Sequence, residues 1–333
     1  MNNIFIIYLL IIFFVLYAGT KLSYYLKLLD IPNKRKIHSK PTVYTGGLLV
    51  AIIYLISLKI FSTFNLQLNL LISTSIIISI VGFIDDKYHL NTGGKLSLQI
   101  LPVFYLIFIE NLTLNNIGEY NSFTLDLHSF SKVFTLLCVL FLINSFNYFD
   151  GIDGCLGFST LSTLCILYFI VPDQKIKQFL IVIALPIIIF LFFNFSFLKL
   201  PKLFFGDSGS LMLGFILSFL LIFLANNTNI HPILLAWSVS IFVFEFLSIN
   251  IMRFEKKTNL FKAGLDHLHY KLLRFVKSPL STDLIIFILN IFLFIIGYIA
   301  FYYISPFFSL IILIFSFLMF LFLRKYLFRN KIS

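Results

Sequence analysis

The sequence predicts an all-α integral membrane protein, a polytopic helical bundle of about 10–11 transmembrane helices with a periplasmic N-terminus and a cytoplasmic C-terminus. Composition carries the class: 60% of the 333 residues are hydrophobic and only 12% are charged, whereas soluble domains are roughly one-quarter charged. Arrangement carries the architecture. The apolar residues fall in about eleven runs that approach the roughly 20 residues a bilayer core demands, near 3–20, 46–61, 68–84, 96–110, 132–146, 156–172, 179–197, 208–225, 233–252, 283–303 and 306–323. Residues 1–333 read as one transmembrane domain with no separate soluble unit.

The first run follows MNNIF, which has no Lys or Arg, so it is expected to be a retained anchor rather than a cleaved signal peptide. With the N-terminus outside, segments 21–45, 85–95, 198–207, 253–282 and the tail after 323, plus the short 147–155 turn, face inward. Of the 25 Lys and Arg residues, only Lys59, Lys132, Lys175 and Lys177 fall elsewhere, as the positive-inside rule requires. This accounts for the net charge of +11 without a nucleic-acid partner. The outward loop 111–131 ends in strand-like alternation and reads as a periplasmic connector. Cys138, Cys155 and Cys165 lie in or beside apolar runs, lack metal-ligand spacing and read as reduced packing residues.

The acids are the informative charges. Asp30, Asp85, Asp86, Asp150, Asp153, Asp207, Glu255 and Asp266 all fall on the inward face, several beside glycine, where backbone can approach a ligand closely. In GFIDDKYHLNTGGKLSLQI (82–100), Asp85 and Asp86 end a long apolar helix. A charge inside a spanning helix costs about 3 kcal/mol on insertion scales, and acids oppose the dipole at a helix C-terminus. The pair therefore suits general-base work or a hard cation, against the plain alternative of a solvated helix end. Lys95, after the turn NTGG, is placed to face a diphosphate.

In NSFNYFDGIDGCLG (144–157), Asn144, Asn147 and Asp150 follow one another at i, i+3 spacing, and Asp153 adds a carboxylate one turn on. Amides and carboxylates at the mouth of an apolar helix suit a nucleotide or a metal; a polar inter-helix turn is the alternative. In KLFFGDSGSLMLGF (202–215), Gly-Asp-Ser-Gly-Ser runs straight into a spanning helix, so its backbone N–H groups are candidates to meet phosphate oxygens. Asp207 is equally suited to cap that helix. The same letters surround serine-protease nucleophiles, but Ser208 has no framed His partner here. In the 253–282 loop, His267 and His269 stand two apart beside Lys271 and Arg274, either in an interfacial amphipathic segment or set to stabilise phosphate charge. Segment 30–48 supplies Arg35, Lys36, His38 and Lys40 in a basic loop ending at Gly46-Gly47. Glu245, inside an apolar helix, is expected to pair with Arg253, eight residues on.

Taken in order, these segments resemble the polyprenyl-phosphate N-acetylhexosamine-1-phosphate transferase family (glycosyltransferase family 4) from residue 30 to about 274. The family's basic motif is met by Asp30, Pro32, Arg35, Lys36, His38, Pro41, Thr42, Gly46 and Gly47, with Val43 in place of a proline. Its second is met by Gly82, Asp85, Asp86, Lys95, Leu96 and Gln99; its third runs in full from Asn144 to Gly154; its fourth is met by Lys202, Phe204, Gly206, Asp207, Gly209 and Ser210. The histidine motif departs: Tyr270 replaces the third histidine of H-x-H-H, and Gly264 stands where an Asp is common. The three consecutive histidines of the phospho-MurNAc-pentapeptide branch are absent, so the likeness is to the undecaprenyl-phosphate GlcNAc-1-phosphate transferase branch.

The resemblance implies a catalytic domain spanning 1–333, its active site built from 30–47, 82–99, 144–157, 202–210 and 253–274. It implies transfer of sugar-1-phosphate from a UDP-N-acetylhexosamine to undecaprenyl phosphate, releasing UMP, at the cytoplasmic side of a bacterial inner membrane. Mg²⁺, with Mn²⁺ as a substitute, is expected on Asp207 and Asn147. Lys95, Asn144, Asn147, Arg35 and His38 are expected to bind substrate. Asp85 and Asp86 are expected to orient the lipid phosphate, Asp150 and Asp153 to position the reacting groups, and His267 and His269 to stabilise phosphate charge. The lipid bilayer is the obligatory surrounding, and a homodimer stays open. Two alternatives remain: a lipid-linked sugar transporter, disfavoured because no repeat is visible and the acids gather at one face, and an inactive member, given Tyr270 and Gly264.

Overall fold

All eleven apolar runs form helices. The computed structural model describes residues 2–32, 40–61, 64–121, 123–258 and 264–327. Its helices are α1 Asn2–Tyr25, α2 Gly46–Ile60, α3 Leu66–Tyr88, α4 Thr92–Phe104, α5 Ser131–Asn147, α6 Cys155–Ile170, α7 Gln174–Asn194, α8 Gly206–Asn227, α9 Pro232–Ser238, α10 Ser240–Glu255, α11 Leu268–Val276, α12 Pro279–Tyr303 and α13 Pro306–Leu327. Among the described residues eight are long and apolar enough to cross a membrane, including α4 with its continuation to Ile109; α9 and α10, bent by 70° to each other, reach that length and apolarity only as a pair, and α2 and α6 are shorter apolar helices. The protein is thus a multi-pass helical membrane protein. Two short antiparallel ribbons complete the described residues: β1 Leu29–Asp30 with β2 Thr42–Val43, and β3 Asn116–Tyr120 with β4 Phe123–Asp126. The second ribbon lies in segment 111–131, where the sequence shows strand-like alternation. Arg35 and His38 lie outside the described residues.

Helix α8 is the axis of the bundle: 89% of its apolar window is buried, against 6% for α13. Lipid tails are as apolar as leucine, so helices gain little from hydrophobicity alone and depend on close packing. The sequence provides for it with glycine. A Cβ on Gly82 of α3 would collide with the backbone of Asp207 and Ser208, and one on Gly47 of α2 with the backbone of Gly209. These approaches bring the ends of α2 and α3 directly onto the start of α8.

The break between α9 and α10 has no Pro or Gly to announce it, and an unsatisfied backbone group within a membrane costs several kcal/mol. Asn290 of α12 compensates. Its amide donates to Ser238 O at 3.1 Å and to Ser162 Oγ at 2.8 Å, while its carbonyl accepts from Ile241 N at 3.3 Å. Thr163 Oγ1 also donates to Ser238 O, at 2.9 Å. Asn290→Leu is therefore expected to destabilise the fold by about 1–3 kcal/mol through the stranded groups, read as a lowered thermal midpoint in detergent.

Candidate functional site

Polar residues converge where α8 begins. Helix α3 runs past the acid pair to Tyr88 and stops in a left-handed turn at His89, φ 51°. Asp85 and Asp86 therefore project from its last turns. Asp85 accepts Leu90 N at 2.9 Å and pairs with Lys95 Nζ at 2.7 Å. Asp86 reaches across to α8 and accepts Asp207 N at 3.0 Å and Ser208 N at 3.4 Å. Gly206 makes this possible: its φ is +66°, and a Cβ there would meet the Asp86 carboxylate. Two of the N–H groups expected to meet phosphate, those of Asp207 and Ser208, are thus already taken, and Asp207 does not cap its own helix. A carboxylate from another helix does.

Asp207 is the hub. Its Oδ1 accepts Asn147 Nδ2 at 2.8 Å, and Lys95 Nζ donates to its Oδ2. The same Asn147 amide donates to Ser210 Oγ at 2.8 Å. Lys95 does not follow a turn: Asn91 caps α4, accepting Gly94 N at 2.7 Å, so NTGG opens the helix and the lysine lies on its first turns. Asn144 faces away, donating to Leu140 O at 2.7 Å and toward Gln99.

A cavity of about 1100 Å³ opens beside this cluster, lined by Asp85, Asp86, Asp150, Asp153 and Asp207 among others. Asp150 lies in the turn after α5, not on the helix. Burial, then the charges of Asp207 and Asp153, push its carboxyl up to about 8, with Lys95 opposing. Asp153 is paired with Lys202 at 2.6 Å. Asn194 ties the two loops together, accepting Gly154 N at 2.6 Å and donating to Leu203 O at 2.8 Å.

The histidines stand behind the 150–154 turn. A Cβ on Gly151 would meet His269 Nε2 and the Tyr270 hydroxyl. Tyr270 lines the cavity; His267 and His269 are buried. Burial beside His267 takes His269 down to about 3, so it is neutral at pH 7. His267 packs edge-on to Tyr148, 4.8 Å between ring centres, and its Nδ1 lies 3.3 Å from Glu245 Oε1, within ion-pair reach but outside hydrogen-bond geometry.

The expected Glu245–Arg253 pair is replaced. Glu245 is held by Arg324 of α13, while Arg253 forks onto Asp266 at 3.1 and 2.9 Å. Asp283 escaped the sequence reading, which began the last-but-one helix at that residue. Pro279, four positions earlier, was the available signal, since Pro favours a helix's first position. Asp283 is fully buried against Gly154, and neither carboxylate oxygen has a hydrogen-bond partner among the described residues.

Fold and site define a polytopic helical membrane protein with a carboxylate-rich cavity where helix ends meet. Within it, residues 68–225 match the family described as glycosyl transferase family 4. Over 271 residues the chain is 27% identical to the undecaprenyl-phosphate alpha-N-acetylglucosaminyl 1-phosphate transferase of Yersinia pestis, covering 78% of this chain and 73% of that one. It is 25% identical to the protein of the same name from Escherichia coli K12, covering 82% and 75%. It is also 25% identical to a probable undecaprenyl-phosphate N-acetylglucosaminyl 1-phosphate transferase of Bacillus subtilis 168, covering 86% and 81%.

Proposed function

We propose that this protein transfers N-acetylhexosamine 1-phosphate from a UDP-sugar to undecaprenyl phosphate, releasing UMP and beginning a cell-envelope glycan at the cytoplasmic side of the bacterial inner membrane. One observation supports this above the rest: Asp85 and Asp86, Asn147, and Asp207 come from three separate sequence motifs and meet around Lys95 at one end of a membrane bundle. Phosphoryl transfer needs little covalent chemistry from a protein and much positioning and charge neutralisation. Lys95 supplies a cation for diphosphate oxygens. Asp85, paired with Lys95 at the end of α3, is proposed to orient the incoming lipid phosphate, and Asp86 holds the Asp207 turn in place. Asp150 and Asp153 flank the cavity where the nucleotide end is proposed to lie.

Mg²⁺, with Mn²⁺ as a substitute, fits the donor set. Six carboxylates line the cavity, those of Asp30, Asp85, Asp86, Asp150, Asp153 and Asp207, against three lysines, Lys40, Lys87 and Lys202, and octahedral Mg²⁺ takes few protein ligands alongside waters and phosphates. No group of three or more His, Cys, Asp or Glu side chains stands at metal-holding distance among the described residues. Asp207 would hold it, with Asn147 beside, its carbonyl oxygen serving once the amide turns from the orientation in which it donates to Asp207. Bound there, the ion supplies neutralising charge to the donor's diphosphate.

The test is a transfer assay on purified protein with undecaprenyl phosphate, Mg²⁺ and a panel of UDP-N-acetylhexosamines. UMP release with a lipid diphosphate-sugar, abolished by EDTA, is the expected result. Folded protein that releases no UMP with any donor overturns the proposal and favours a transporter of lipid-linked sugars.

A further inference from the structure

We infer that Arg324, near the end of the last helix, is a positioning residue that sets the histidine loop against the cavity, an inference that rests on the transferase reading above. Arg324 is 2% exposed on a helix that is otherwise largely unburied. Its guanidinium reaches three partners: Nη1 donates to Glu245 Oε2 and, at 2.9 Å, to Ser248 Oγ, and Nη2 donates to Asp266 O at 2.7 Å. Glu245, fully buried, uses its other oxygen to accept Leu268 N at 3.0 Å. One ion pair thus grips the loop at both sides of His267, through the carbonyl before it and the N–H after it.

The grip carries forward by packing. His267 and His269 stack with ring centres 5.5 Å apart and planes 5° from parallel. His269 and Tyr270 press on Gly151, next to Asp150. The Arg253 fork onto Asp266 holds the same loop from α10. Arg324 touches none of the cavity-lining carboxylates, so its influence on transfer runs through the loop. Lysine offers a point charge without the planar fork that serves three partners at once.

The experiment pairs hydrogen exchange with kinetics on the full chain in detergent, comparing wild type, Arg324→Met, Arg324→Lys and Glu245→Gln/Arg324→Met. The double variant removes both buried charges and guards against simple unfolding, since a stranded buried charge is far more destabilising than a neutral pair. Expected is faster exchange in residues 264–272 with α8 unchanged, in both the single Met and the double variant. With it, kcat falls about a hundredfold, the scale of an ångström-sized misplacement, at nearly constant KM for the UDP-sugar, and Arg324→Lys recovers part of the loss. A double variant with wild-type exchange in 264–272, or with loosened exchange but wild-type kcat per folded molecule, overturns the inference. Loosened exchange in a chain whose wild type shows no transfer activity would overturn the transferase reading and leave the loop-holding role standing.

Discussion

Asp207→Asn is expected to lower kcat by about a thousandfold, the scale seen when a preorganised charge-stabilising group is removed from an active site. The substitution keeps shape and volume, and Lys95 retains its 2.7 Å contact with Asp85, so the fold should persist. What goes is the charge that Lys95 and Asn147 are both arranged around. If Asp207 acts mainly as charge is redistributed, kcat and kcat/KM fall together, whereas loss of ground-state binding raises KM alone. Ser210→Ala is the control. It removes a second acceptor for the Asn147 amide and a long donation, 3.4 Å, to Asp207 O, leaves the Asp207 charge in place, and should change kcat severalfold at most. Equal losses in the two variants would show that packing at the start of α8, not the Asp207 charge, governs the rate.

The elements that were legible in the sequence and those that were not divide by distance along the chain. Apolar runs gave the helices because a membrane imposes a length, and polar interruptions at their ends gave the acids, the amides and Lys95. The reach of each side chain was hidden. Glu245 was matched to Arg253 because both lie on one helix, but its partner is 79 residues away, in a tail whose charges read as positive-inside. The α8 N–H groups looked open to phosphate because nothing local takes them; Asp86 arrives from 121 residues upstream. The α9–α10 break was invisible because Asn290, which satisfies its backbone, stands on α12. Asn144 and Asn147 share a motif, but only Asn147 faces Asp207. Spacing puts two residues on one face of a helix and leaves open which neighbour fills the space beyond.

The pH dependence of transfer should report Asp150, and the sign is opposite for activity and for stability. Its carboxyl is pushed up to about 8, first by burial and then by Asp207 and Asp153. The folded protein therefore holds a proton that the unfolded chain, with an ordinary aspartate near 3.8, has lost. This contribution to stability is fully present below about pH 4 and is lost as pH rises through about 8. Activity that needs the ionised carboxylate rises only as pH approaches and passes about 8. Accordingly kcat/KM, which reports the free enzyme, should climb toward a plateau with a midpoint at or below about 8, lower at saturating Mg²⁺ because a nearby cation favours the charged form. Asp150→Asn should remove this limb, lower the plateau by about a hundredfold, within the usual range for a positioned acid–base group, and flatten the fall of the thermal midpoint with pH. A variant that keeps the wild-type pH limb would assign the titration elsewhere and reduce Asp150 to a structural part of its turn.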